Sequence, residues 1–77
     1  MDDRTILDAK GLKCPLPVLR ARKAMKSVAP GGLLEVHATD PSAAQDFRNF
    51  CDTTGDELLG SRETDGVYVF EIRKRAG

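Results

Sequence analysis

The chain has 77 residues, with 12 Lys/Arg balanced by 12 Asp/Glu. That length suits one domain whose core supplies only about 3–5 kcal/mol of net stability, and the balance of charge argues against a strongly basic nucleic-acid binder. No stretch nears the roughly 18 apolar residues of a membrane span, and the charged start Met1-Asp2-Asp3-Arg4 is not a signal peptide, so the reading is a single cytoplasmic domain over 1–77 with no membrane partner.

Two cysteines cannot build a disulfide framework, and a reducing compartment leaves both as thiols. With the single histidine, His37, they fall short of a four-ligand zinc set, so neither a metal nor another cofactor is expected. The charges are unevenly spread. Residues 1–32 hold seven Lys/Arg against three Asp/Glu, while residues 33–66 hold two against eight. An oriented surface follows, with Cys14 in the basic part.

In chain order, residues 4–9 form a short β-prone run closed by Lys10-Gly11. Gly11-Leu12-Lys13-Cys14-Pro15-Leu16-Pro17 then leads into a helix over Val18 to Val28. Val18, Ala21, Met25 and Val28 recur on one face with Leu19 and Ala24 beside them, and Arg20, Arg22, Lys23 and Lys26 make a basic outer face. Ala29-Pro30-Gly31-Gly32 stops that helix. Leu33 to Thr39 alternates, Leu34, Val36 and Ala38 inward and Glu35, His37 and Thr39 outward, as a half-buried strand does.

Asp40 is placed to cap a second helix, with Pro41 at its first position and Ser42 and Gln45 offering a capping box. Ala43, Phe47, Phe50 and Cys51 form its buried stripe, and Thr54-Gly55 ends it. Glu57 to Glu63 is a weaker strand, Thr64-Asp65-Gly66 a hairpin turn, and Val67 to Arg73 a strand with Tyr68, Phe70 and Ile72 on one face. The tail Lys74–Gly77 is expected to fray. The order β-α-β-α-β-β with right-handed crossovers predicts an α/β (α+β) two-layer sandwich: a mixed four-stranded sheet with two helices on one face.

The two helix starts are parallel in sequence, Cys14-Pro15 and Asp40-Pro41. Cys14 thus takes the place of a capping acceptor, where a thiolate serves better than a thiol and the helix dipole favours the anion. Lys13 adds positive charge nearby as electrostatic support. Pro15 and Pro17 lack N–H groups, and Pro17 biases Leu16 away from helical angles, so the expectation is a rigid, exposed turn bearing a modestly activated sulfur. No histidine neighbours Cys14, and His37 points to the open sheet face, which disfavours a Cys–His hydrolase. Pro17 stands where a redox Cys-x-x-Cys motif needs its second cysteine. A lone accessible thiolate suits persulfide relay or mixed-disulfide exchange.

The run Leu7–Pro17 resembles the signature of the TusA/SirA family of small sulfur-carrier proteins. Pro30-Gly31, Asp40-Pro41, Phe50-Cys51 and Glu63-Thr64-Asp65-Gly66 follow in the family's order, so the resemblance spans nearly the whole chain. It implies a sandwich like the C-terminal domain of translation initiation factor three. It also implies a persulfide on Cys14, received from a cysteine desulfurase or another donor protein and passed to a downstream acceptor protein. The family serves tRNA thiolation, molybdenum-cofactor enzyme maturation and sulfur oxidation, and the motif does not choose among them. Arg20 and Lys23 are the candidate docking residues for acidic partner surfaces. Two other readings stand beside this one. An RNA-binding or regulatory module would need exposed aromatics, and all four lie on core stripes, so direct nucleic-acid binding is disfavoured. A thiol-disulfide regulator would need Cys51 exposed near Cys14.

Overall fold

Alternation along Leu33–Ala38 and Val67–Arg73 sends every second side chain toward the helices, and this sets the architecture. In the computed structural model, which describes residues 4–75, the elements run β1 (Arg4–Ala9), α1 (Leu16–Met25), β2 (Leu33–Ala38), α2 (Ala43–Thr54), β3 (Glu57–Thr64) and β4 (Val67–Arg73). The sheet order is β1-β2-β4-β3. β1 lies parallel to β2, and β4 runs antiparallel to both β2 and β3. The mixed sheet with both helices packed on one face is the expected α+β sandwich.

The core lies between these layers. Ala9, Leu34, Val36, Ala38, Phe70 and Ile72 from the sheet meet Ala21, Met25, Ala43, Phe47, Phe50 and Cys51 from the helices. Phe47 is its centre, fully buried, with its ring 4.8 Å from that of Phe70 and 6.3 Å edge-on from that of Phe50. Asp65 and Gly66, at φ 52° and 82°, form a two-residue loop of left-handed residues, the geometry that matches the twist of a hairpin. Gly55, at φ 83°, ends α2 and donates its N–H to Cys51 O at 2.9 Å.

Three expectations are corrected. Leu19 does not widen the buried stripe of α1: it is 52% exposed, because the stripe continues through Pro17 instead. The open sheet face is not uniformly wet. Glu35 is only 8% exposed there, covered by Arg4 (2.9 Å) and by His37, whose Nε2 donates to it at 2.6 Å. The His37 hydrogen bond, followed by its charge and that of Arg4, holds the Glu35 carboxyl below the usual carboxylate range. Arg4 and Arg62 also reach Glu71 at 3.3 and 3.4 Å, extending the network across the sheet.

The tail is also tied where it is described. Lys74 exchanges backbone hydrogen bonds with Gly31 and Gly32, and its Nζ donates to Met25 O (3.0 Å) and Val28 O (2.8 Å). A cation thus satisfies carbonyls at and just beyond the end of α1. Arg75 N–H adds a bond to Asp56 at 2.8 Å. Ala76 and Gly77, with Met1 to Asp3, lie outside the described residues. Replacing Lys74 with Met should therefore lower stability by about 1–2 kcal/mol in denaturant unfolding. A variant as stable as the parent would show that these two side-chain bonds contribute nothing net.

Candidate functional site

The β1–α1 loop leaves the sheet at Ala9 and turns back through Gly11, whose φ of 81° a residue with a side chain rarely adopts. Leu12 N–H reaches Ala9 O at 3.3 Å and Leu16 N–H reaches Lys13 O at 2.8 Å, so the loop is a pair of tight turns with Cys14 exposed in the second. The Cys14–Pro15 peptide bond is cis. Pro15, at φ −99° and ψ 17°, is the residue flanking α1, and its carbonyl accepts the Leu19 N–H at 3.1 Å. Cys14 is therefore not the capping residue that the sequence suggests: it stands one position before the cap, Pro15, and α1 starts without a side-chain cap. Leu16 is helical despite Pro17 following it. Pro17 is one of the fully buried side chains, so the ring packs into the core while its missing N–H falls in the first turn, where helix donors have no intrahelical partner. Pro15 is exposed and Pro17 is an anchor.

The start of α2 differs from expectation in a related way. The helix opens at Ala43, Ser42 flanks it without a side-chain cap bond, and Pro41 sits in the preceding turn. Asp40 Oδ1 accepts the Ser42 N–H at 3.0 Å, an Asx turn, and its carbonyl accepts the Ala43 N–H at 3.0 Å. Gln45 forms no capping box and donates to Asn49 at 3.1 Å. The other Asp40 oxygen, Oδ2, accepts the backbone N–H of Cys14. Thr39 Oγ1 accepts the Gly11 N–H at 2.9 Å. The exit of β2 thus grips the cysteine loop at two points.

The electrostatics reverse the expected activation. The Asp46 side chain, as a hydrogen-bond acceptor that favours the protonated thiol, is the chief cause that pushes the Cys14 pKa up. Desolvation and the charges of Asp46 and Asp40 act in the same direction, opposed by a hydrogen bond with Ser42. The sequence points to the helix dipole, the capping position, Lys13 and the missing N–H groups of Pro15 and Pro17, and not to the acids that fold against the loop. Lys13 is exposed, and its charge helps hold Asp40 low, after the Asp40 bonds with the Ser42 and Cys14 backbones. Arg20 and Lys23 are exposed on α1. Arg22 lies over the Phe50 ring at 5.8 Å and, with Pro15, Val18, Asp46 and Phe50, lines a groove of about 230 Å³ between the helices, alongside the cysteine loop.

Sequence reasoning missed Asp46, Ser42 and Thr39. Asp46 in the first turn of α2 was the available signal, since an acid there faces whatever the neighbouring loop presents. Cys51 is buried, and burial first, then Asp56 and Asp52, push its pKa from 9.0 up to about 11. The exposure that a regulatory Cys14–Cys51 pair requires is thus absent. Phe47, Phe50 and Phe70 are buried and Tyr68 packs against the same core, so none of them offers a stacking platform on the open face. Among the described residues no cluster of ligating side chains fits a metal ion, and no helix is long and apolar enough to cross a membrane.

Comparison with known proteins gives a consistent result. The family model described as "Sulfurtransferase TusA" matches residues 5–74. A Pseudomonas aeruginosa protein named "Sulfur carrier protein TusA" is 49% identical over 71 residues, 92% of this chain and 90% of that one. A protein of the same name from Allochromatium vinosum is 48% identical over 68 residues, 88% and 90% of the two chains. The crystal structure of a SirA-like protein from Desulfitobacterium hafniense superposes with a TM-score of 0.81 at 27% identity, covering 92% of this chain and 97% of that one.

The two thiols should be separable by chemistry. Alkylation of Cys14 by iodoacetamide is expected to follow a pH profile with its midpoint above that of a cysteine in an unstructured peptide, and Asp46→Asn to move that midpoint down. A parent midpoint below that of a cysteine in an unstructured peptide would reverse the assignment. Cys51 should resist alkylation until the chain unfolds. Its folded pKa is raised, so its contribution to stability is full below pH 9.0 and lost as pH rises toward about 11. Cys51→Ala should remove that part of the alkaline decline in unfolding free energy.

Proposed function

Because the chain belongs to the TusA family of sulfur carriers, we propose that Cys14 accepts a sulfane sulfur as a persulfide and relays it to an acceptor protein. The observation that carries this reading is the contrast between the two sulfurs. Cys14 is exposed on a loop pinned by Thr39 and Asp40, and Cys51 is buried in the core.

Loading is a thiol–persulfide exchange. The Cys14 thiolate attacks the terminal sulfur of the donor's Cys–S–SH, the donor's S–S bond breaks, and the donor cysteine leaves as a thiolate. A new S–S bond on Cys14 replaces the one lost, so no external oxidant or reductant is consumed. Delivery is the same reaction with Cys14 as the leaving group, which then takes up a proton. A cysteine desulfurase fits the donor role, since its product is a protein-bound persulfide, and the acceptor needs only a thiolate that can reach the loop.

The carboxylates of Asp46 and Asp40 favour the thiol over the thiolate, so a docked partner that neutralises them would favour the attacking form of Cys14. Docking falls to the surface beside the loop. Leu16 and Leu19 are 45% and 52% exposed, and Arg20 and Lys23 lie on the same helix, a combination suited to an acidic partner surface with an apolar centre.

Incubation with a cysteine desulfurase and cysteine should add the mass of one sulfur atom to the chain, removable by a reducing thiol. Cys14→Ser should abolish the added mass and Cys51→Ser should retain it, with a loss of stability instead. Loading of the Cys14→Ser variant to the parental extent would overturn the proposal.

A further inference from the structure

The Asp40 carboxylate divides its two oxygens between two segments that are far apart in sequence. Oδ1 takes the Ser42 N–H and Oδ2 takes the Cys14 N–H, across a separation of 26 residues. A backbone N–H in a tight turn has few alternative partners, and Pro15 supplies none next door. The same strand exit holds Gly11 through Thr39, and Gly11, Lys13, Thr39 and Asp40 line the shallow cavity enclosed between the two segments. The negative charge in this bridge lies beside the sulfur and keeps its place across neutral pH, because both backbone bonds stabilise the ionised carboxylate.

We propose that Asp40 is the positioning residue of the sulfur site, its carboxylate locking the Cys14 backbone to the turn that opens α2 and fixing a negative charge beside the sulfur. This deepens the carrier reading above and rests on it. Asp40 touches neither the sulfur being transferred nor any donor. It acts through the orientation of Cys14, so that the loop and the α2 start present one rigid face to a partner. The charged or polar groups around the thiol are then Asp40 from the β2–α2 turn and Ser42 and Asp46 from the start of α2, with Lys13 acting on Asp40 from within the loop.

Three variants separate orientation from charge. Asp40→Asn removes the charge and one acceptor, so amide hydrogen exchange at Cys14 or Ser42 should quicken severalfold and alkylation of Cys14 at neutral pH should rise about threefold, the effect of one screened charge near the sulfur. Asp40→Glu keeps the charge but displaces the oxygens by a methylene; exchange should quicken while alkylation stays near the parental rate. Gln45→Ala, which removes a side-chain bond to Asn49 elsewhere on α2, should leave Cys14 exchange and alkylation unchanged. Parental protection at both Cys14 and Ser42 in Asp40→Asn, with an unmoved alkylation profile, would overturn the proposal.

Should Asp40→Asn not fold, the parent protein still tests the bridge. On acidification the Cys14 and Ser42 amide proton shifts should titrate together, with one midpoint below the usual aspartate range. Separate midpoints would overturn the bridge. None of these measurements involves sulfur loading, so their failure leaves the carrier reading standing, and a failure to load leaves the bridge standing.

Discussion

The parallel pairing of β1 with β2 is the constraint on which the rest of the site depends. In the register that sets Ala9 against Ala38, both strands end on the same edge of the sheet, and the loops that follow them emerge side by side. An antiparallel pair would send those loops to opposite ends. Only because they are neighbours can Thr39 reach Gly11 and Asp40 reach Cys14. The placement follows a general feature of α/β architecture, in which functional groups collect beyond the carboxyl ends of parallel strands. Here the sheet contributes no reacting group. It contributes the adjacency that lets one loop hold another.

That adjacency also explains why the cysteine is quiet. A helix N-terminus alone would stabilise a thiolate, but the loop gripping Cys14 brings Asp40 close, and α2 brings Asp46. Both carboxylates push the thiol pKa up, while the helix begins two residues later with a first turn short of N–H groups, which leaves its dipole poorly placed to oppose them. For a carrier this is a coherent arrangement. Raising a thiol's pKa makes it a poorer leaving group in thiol exchange, so a sulfur accepted there would be better held against casual nucleophiles. A nucleophilic enzyme needs the opposite, a sulfur ionised in advance by a neighbouring base. His37 is not that base: its side chain belongs to the open sheet face, where it is hydrogen-bonded to Glu35.

Much of the fold was legible because the apolar pattern is local. The periods along β2, α2 and β4 place their elements within two residues of the observed bounds, and Asp65-Gly66 and Gly55 mark their turns by conformational need alone. What was not legible depends on contacts between distant segments. Pro17 reads locally as a stiff exposed residue, yet the sheet supplies a slot for its ring. Asp40 reads as an ordinary cap, and only the tertiary structure shows its second oxygen on Cys14. Lys74 reads as a frayed tail residue, while its ammonium sits on carbonyls at the end of a helix that finished 49 positions earlier. The exposed cysteine was evident from sequence; the acid residues that govern it were not.

The two sulfurs show how little scaffold separates a reactive site from an inert one in so small a chain. Cys51 sits one residue from Phe50, whose ring meets both Phe47 and the Arg22 guanidinium bordering the groove beside Cys14. Burial is the chief cause that disfavours the anion of the buried thiol, and the neighbouring Asp46 and Asp40 carboxylates disfavour that of the exposed one. These causes differ in whether they can be undone. Exposing Cys51 requires opening a core whose net contribution is only about 3–5 kcal/mol, and hence unfolding the domain. Cys14 needs no such opening: its thiol is exposed, and neutralising the half-buried carboxylates of Asp46 and Asp40 removes the charges that oppose its anion. Of the two thiols, Cys14 alone is accessible without disturbing the fold.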